Sequence, residues 1–303
     1  MKKEPKIFVI IVTYKGKRWY DKCFSSLRES TITLQTVVID NTPGDEDAEY
    51  IKTHYPEVHL IKTNENLGFG RANNIGMRYA MDSGCDYVFL LNQDTWIDKD
   101  TIVRLIQIAE KHPDYGIISP IHLNAERTAI NMIIGLGARH RNEKMLSDLY
   151  LNKTSDIYET NYVNAAAWLL PRKTLEMIGG FDPIFMHYEE DDNYLNRVIY
   201  HGLKIGVCPA AQLVHDHKGS ELSDERLQIR QQQFLLVEWT DINKSFSAIA
   251  VCLYYVRKWL SYLCAGKIEQ AKKQREMTNY CLKMRKAVMR SRVENMQKKA
   301  SWL

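Results

Sequence analysis

The chain has 303 residues, of which 45% are hydrophobic and 26% charged, a composition that excludes a disordered chain and suffices for a large buried core. After residue 250 there are thirteen Lys/Arg against three Asp/Glu, a net of +10, leaving 28 basic and 34 acidic residues before it, a net of −6. Six cysteines (Cys23, Cys85, Cys208, Cys252, Cys264, Cys281) form no Cys-x-x-Cys pair and no disulfide-like framework, so reduced, buried thiols are expected.

Residues 1–6 lead into the apolar run Ile7–Thr13 without a small-residue cleavage site, which predicts a first strand rather than a signal peptide, and a cytoplasmic protein. Tyr20, Phe24 and Leu27 follow at helical spacing. Thr36–Asp40 is a second apolar run, ending in Asp40-Asn41-Thr42-Pro43-Gly44-Asp45, and Val58–Lys62 is a third. It precedes Asn64-Glu65-Asn66-Leu67-Gly68-Phe69-Gly70-Arg71 and a helical pattern through Ala72, Ile75, Met77 and Ala80. Tyr87–Leu91 is a fourth apolar run, and Thr101–Lys111 reads as a helix. Strands alternating with helices of this length imply an α/β fold with βαβ units and a parallel sheet. Every run ends in polar residues, where ligands bind in open sheets of this kind.

Asn92 and Asp94 stop the fourth run abruptly. They are oxygen ligands placed to meet a metal–diphosphate, or Asp94, with Asp98, caps the following helix. From about Leu123 to Asn161 the pattern is poor, with Gly135, Gly137 and the cluster Arg139-His140-Arg141. A covering loop that orders on binding is expected there.

Val12-Thr13-Tyr14, Val38-Ile39-Asp40-Asn41, Asn66-Leu67-Gly68-Phe69, Asn73-Asn74-x-Gly76, Leu91-Asn92-Gln93-Asp94-Thr95, Gly179-Gly180-Phe181-Asp182, Glu189-Glu190-Asp191-Asp192 and Val214-His215 occur in one order. That order resembles the family-2 inverting glycosyltransferases, and most of all the bacterial surface-polysaccharide branch with its rhamnosyltransferases. The resemblance spans roughly residues 6 to 220, and a set of motifs in order is far more specific than any one. It implies a GT-A fold, with a catalytic domain over 1–225 (nucleotide-sugar half 1–120, acceptor half 121–225) and a basic helical segment over 226–303.

The resemblance also implies roles. Thr13 and Tyr14 line the nucleotide site, and Asp40 accepts the pyrimidine N3–H, favouring a UDP- or dTDP-sugar over a cytosine nucleotide. Asn41, Asn66, Gly68, Arg71 and Asn92 are further nucleotide-side candidates, the glycines allowing close backbone approach at a helix N-terminus. Asp94 and His215 bind a divalent cation, Mn²⁺ or Mg²⁺, with the imidazole favouring Mn²⁺; His217 is the substitute if the loop shifts. The branch often has proline where Gln93 stands. Glu190 is the general base, Glu189 its support and Asp192 structural, with Asp191 the neighbouring alternative. Ala166 and Trp168 are candidates for a glycan or lipid-linked acceptor, the indole stacking on a sugar or filling the core.

Phe246–Ala265 is apolar and aromatic but interrupted by Arg257 and Lys258. It is read either as a helix lying on a membrane surface with Trp259, Tyr262 and Leu263 inserted, or as half of a hairpin turning near Gly266 that packs or self-associates. No nucleic-acid module accompanies the basic residues, so no nucleic-acid partner is expected. Two other functions fit less well: a non-catalytic nucleotide-sugar-binding scaffold, and a sugar-nucleotidyltransferase. The latter wants a Gly-rich signature with a basic residue after the first strand, which Thr13-Tyr14-Lys15-Gly16 does not supply.

Overall fold

The computed structural model describes residues 4–44, 46–63, 65–131, 143–216 and 224–303. Asp45, Asn64, Gly135, Gly137, Arg139, His140, Arg141 and His217 lie outside them. In chain order the elements are β1 (Ile7–Thr13), α1 (Lys17–Arg28), β2 (Gln35–Asp40), α2 (Glu46–His54), β3 (His59–Lys62), α3 (Phe69–Asp82), β4 (Tyr87–Asn92), β5 (Thr95–Ile97), α4 (Thr101–Lys111) and β6 (Tyr115–Leu123). There follow α5 (Glu143–Tyr150), β7 (Tyr158–Thr160), β8 (Ala167–Pro171), α6 (Arg172–Ile178), α7 (Glu190–Tyr200), β9 (Lys204–His215), α8 (Asp224–Thr240), α9 (Ala248–Cys264) and α10 (Ile268–Asn295).

One sheet runs β3-β2-β1-β4-β8-β6-β9-β5, with β7 on β9. Its first four strands are parallel throughout. β1 and β4 are nearly continuous Val/Ile/Leu/Phe runs because both their faces are covered, whereas the edge strand β3 has no buried residue. One core layer joins Phe8, Ile10, Val37, Ile39, Leu90 and α3; the other joins Val9, Ile11, Val38, Phe89, α1 and α4. The chain leaves β1 for β2 and β3 on one side and later places β4 on the other. The carboxyl ends of β1, β2 and β4 therefore meet at a topological switch point. The register is explicit: Thr13 stands opposite Asp40, and Val12 opposite Asn92.

Part of the stretch expected to be a covering loop is ordered. α5 buries Met145 in the core, the Tyr158 hydroxyl donates to Asp148 at 2.7 Å, and β7 pairs antiparallel with β9. The Arg139-His140-Arg141 portion is among the residues not described.

The C-terminal helices dock on the catalytic layers. Ser291 and Asn295 of α10 both donate to Asp182, at 2.5 and 2.8 Å, and the buried Arg292 guanidinium donates to the carbonyls of Trp239, Asp241 and Lys244. The Gly180 N–H donates to the Ser301 carbonyl at 2.8 Å. A third core of Phe185, Leu236, Val237, Trp239, Cys281 and Val288 fills the seam. Among the described residues no helix is long and apolar enough to cross a membrane.

Candidate active site

At the switch point the base-pocket candidates sit together. Asp40 is fully buried. Its Oδ1 accepts from the Thr13 hydroxyl at 3.3 Å and from the Thr42 N–H at 3.1 Å, while Oδ2 has no hydrogen-bond partner among the described residues. Burial pushes the carboxyl above the usual range, partly offset by those donors. A buried acceptor left open at a strand end is costly unless something supplies a donor. Thr13 is buried with Asp40, and Tyr14 is exposed beside it.

Gln93, read from the sequence only as a departure from proline, turns out to be part of the scaffold. Its Oε1 accepts from the Tyr14 N–H at 2.9 Å and its Nε2 donates to the Tyr14 carbonyl at 3.1 Å. A Cβ on Gly16 would meet Gln93 Oε1 at 2.0 Å, so the glycine makes room for this clamp. The apposition comes from residues 79 apart in sequence, which no local pattern could reveal.

Asn41 and Asn66 organise the loop that follows β3. The Asn41 amide donates to Asn66 Oδ1 at 2.8 Å and accepts from the Leu67 N–H at 2.9 Å, while Asn66 Oδ1 also takes the Gly68 N–H. Gly68 has φ +79°, and a Cβ there would lie 2.1 Å from the Met186 carbonyl oxygen. The close approach that the missing Cβ permits in this structure is to that peptide. Arg71 is tethered to the Pro183 carbonyl at 2.8 Å. The α3 N-terminus thus carries the segment that ends in the acidic run.

That run begins with strained backbone: Tyr188 and Glu189 both have positive φ, 68° and 66°. Such strain in non-glycine residues concentrates at functional sites. Glu189 lies 3.6 Å from the Arg230 guanidinium of α8. Glu190, at the start of α7, is 7% exposed and its Oε2 has no hydrogen-bond partner among the described residues. Burial, then the charges of Asp191 and Glu189, push its carboxyl up to about 8 against the pull of a backbone N–H. Asp191 is raised to about 6, again chiefly by burial, with N–H groups of Asp192 and Ala165 opposing. The two neighbours therefore face different surroundings, Glu190 toward Gly70 of α3 and Asp191 toward Ala165.

The candidate metal pair is assembled by the short β5. Its antiparallel register sets Thr95 opposite His215, and the Asp216 N–H donates to the Asp94 carbonyl at 2.9 Å. Asp94 Oδ1 and His215 Nε2 end 3.5 Å apart. An oxygen and an imidazole donor converging beside the strand-end cleft fit a divalent ion. No cluster of three or more His, Cys, Asp or Glu able to hold a metal occurs among the described residues. The Asn92 N–H is bound to the Ala166 carbonyl at 2.9 Å. Capping does not account for the acids here: Asp100 occupies the α4 N-cap, and Asp98 forms a two-bonded pair with Arg127, both at 2.9 Å.

Trp168 is a correction. Its indole is fully buried, stacked on Phe181 and packed on Tyr194, with Nε1 donating to the Val163 carbonyl. Both faces belong to the core, so no sugar ring reaches them. Ala166, also buried, takes part through its carbonyl to Asn92.

Residues 8–162 match the family Glycosyl transferase family 2. The chain belongs to this family of GT-A-fold enzymes, and is a glycosyltransferase. The low-salt glycan biosynthesis hexosyltransferase Agl10 of Haloferax volcanii is 26% identical over 210 residues, covering 69% of this chain and 66% of that protein. The dTDP-rhamnosyl transferase RfbF of Shigella flexneri is 23% identical over 215 residues, covering 69% and 68%. In shape, the chain is similar to GalNAc-T7 crystallised with UDP, GalNAc and Mn²⁺, with a TM-score of 0.59, 16% identity and coverage of 92% of this chain and 55% of that one.

Proposed function

We propose that the chain transfers a hexosyl or rhamnosyl unit, with inversion, from a UDP- or dTDP-sugar to a hydroxyl of a glycan or lipid-linked glycan during surface-polysaccharide synthesis. The observation that carries the donor class is Asp40 Oδ2, a buried acceptor at the end of β2 without a donor among the described residues. A uracil or thymine imide N–H satisfies it, and cytosine offers no N–H at that position. The relatives named for hexosyl and dTDP-rhamnosyl transfer support the sugar class.

In the proposed step, Glu190 takes the acceptor hydroxyl proton as that oxygen bonds to C1. The bond from C1 to the diphosphate oxygen breaks on the opposite face and the nucleoside diphosphate leaves. Asp94 and His215 would hold a divalent cation, whose charge offsets the negative charge of the leaving diphosphate. Thr13, Tyr14 and the Gln93 clamp fix the base end. The proposed setting is the cytoplasmic face of a membrane, with α9 at the lipid surface.

Donor hydrolysis and calorimetry with UDP-, dTDP-, CDP- and GDP-compounds test the reading. Turnover confined to a uridine or thymidine donor, with UDP or dTDP bound at least tenfold more tightly than CDP, supports it. Equal binding of UDP and CDP overturns the Asp40 assignment, and full activity in excess EDTA overturns that of Asp94 and His215.

A further inference from the structure

Two cysteines 29 residues apart meet where α9 packs on α10. Cys252 Sγ and Cys281 Sγ lie 3.0 Å apart. Cys252 is half-buried, on the turn of α9 that also carries Val251 and Tyr255, and Cys281 is buried in the core that includes Phe185, Trp239 and Val288. Of the other thiols, Cys23, Cys85 and Cys208 are buried and Cys264 is exposed, with no sulfur partner among the described residues beyond the Met81 thioether near Cys85. A disulfide bond is about 2.05 Å long, so closure brings the two sulfurs roughly 1 Å nearer.

We propose that Cys252 and Cys281 form a reversible disulfide with a small-molecule disulfide as oxidant, cross-linking α9 to α10. The Cys252 thiolate, the more accessible of the two, attacks one sulfur of the oxidant RS–SR and releases RS⁻. The Cys281 thiolate then attacks Cys252 Sγ and expels the second RS⁻. One S–S bond is broken and one formed. The two thiol protons end on the two RS⁻ groups as 2 RSH, and the two cysteine sulfurs lose the two electrons the oxidant gains.

The order of attack follows from the surroundings. Burial first, then the hydrogen bond and charge of Cys252, hold the Cys281 thiol up at about 12, against the pull of Arg285. Capping Cys252 removes the second and third of these causes; burial still opposes the thiolate, and Arg285, one helical turn on, pulls toward it. The cross-link ties the outward-facing α9 to the helix whose far end holds Asp182 through Ser291 and Asn295, and so fixes the hairpin to the layer beneath the acidic run.

The test uses the full reduced chain incubated with oxidised glutathione, alkylated, and digested without reductant for mass spectrometry. The expected result is a peptide pair joined through Cys252 and Cys281, two fewer alkylatable thiols, and full reversal by dithiothreitol. In Cys281→Ser a glutathione adduct should accumulate on Cys252, since nothing resolves it. Oxidation should raise the thermal midpoint of the wild type and leave that of Cys252→Ser unchanged. A stable glutathione adduct on wild-type Cys252, or cross-linking through Cys264 with Cys252 and Cys281 still alkylated, overturns the proposal.

Discussion

Asp40 and Glu190 share a chemical situation: each is a carboxylate with one buried oxygen that has no hydrogen-bond donor among the described residues. For Asp40 the missing partner is assigned to the base. A hydrogen bond to a charged group is worth about 1.5–3 kcal/mol, so Asp40→Ala should weaken UDP binding about tenfold or more by calorimetry. For Glu190 the missing partner is assigned to the acceptor hydroxyl. Glu190→Gln keeps the shape and loses the proton acceptor, so kcat should fall by about 10²–10⁴ with the donor dissociation constant little changed. Asp191→Asn should do much less; the reverse ranking would move the base by one residue. The raised carboxyl also dictates a pH profile: with a pKa of about 8, the free enzyme's kcat/KM should climb through that pH as Glu190 loses its proton. Stability runs the other way. A carboxyl whose folded pKa lies above its unfolded one stabilises the fold fully below the unfolded value, and that contribution fades as pH rises through about 8. Urea titrations of wild type and Glu190→Gln should therefore diverge in favour of Gln as pH rises from 5 to 9.

At the scale of elements, the site depends on contacts between segments distant in sequence. Gln93→Ala removes two hydrogen bonds of about 0.5–1.5 kcal/mol each from the peptide of Tyr14, so the donor's KM should rise several-fold with kcat largely retained. A kcat loss without a KM change would show that the clamp serves the chemistry instead. Gly68→Ala is harsher: a positive φ and a carbonyl 2.1 Å from the new Cβ force either the loop or Met186 to move. We expect a lower urea midpoint and loss of turnover together, because the Met186 segment delivers Glu190. These contacts explain what could be read from sequence. β1 and α4 match the predicted Ile7–Thr13 and Thr101–Lys111 because a doubly buried strand and an amphipathic helix write their environment into local pattern. β5, three residues long, leaves no such pattern, although its ladder with β9 is what brings Asp94 to His215. Gly68 and Trp168 were legible as unusual residues, but what each packs against lies more than ten residues away in the chain, at Met186 and at Phe181 and Tyr194.

Over the whole molecule, the charge division becomes a spatial one. α9 has no fully buried residue. Ile249, Leu253, Tyr254, Leu260 and Leu263 are 40–74% exposed, with Arg257, Lys258 and Lys267 exposed among them. Trp259 and Tyr262, expected to insert, are half-buried, so the outward apolar set differs from the one the sequence suggested. Apolar side chains ringed by cations match an anionic lipid surface, where each basic residue adds about 1 kcal/mol to what the buried apolar area supplies. Removing everything after Thr240 would be a poor test, since α10 supplies Ser291, Asn295 and Arg292 to the core and Asp182 Oδ2 would lose the donors Ser291 and Asn295. Leu253→Glu with Leu260→Glu changes only the exposed face. That double variant should lose flotation with phosphatidylglycerol vesicles while keeping donor hydrolysis and its thermal midpoint. Wild-type binding should weaken between 50 and 500 mM salt, as screening shortens the reach of the lysines and arginines. Should the double variant still float but sediment at a smaller mass than the wild type, the face is a contact between copies of the chain and the lipid assignment fails.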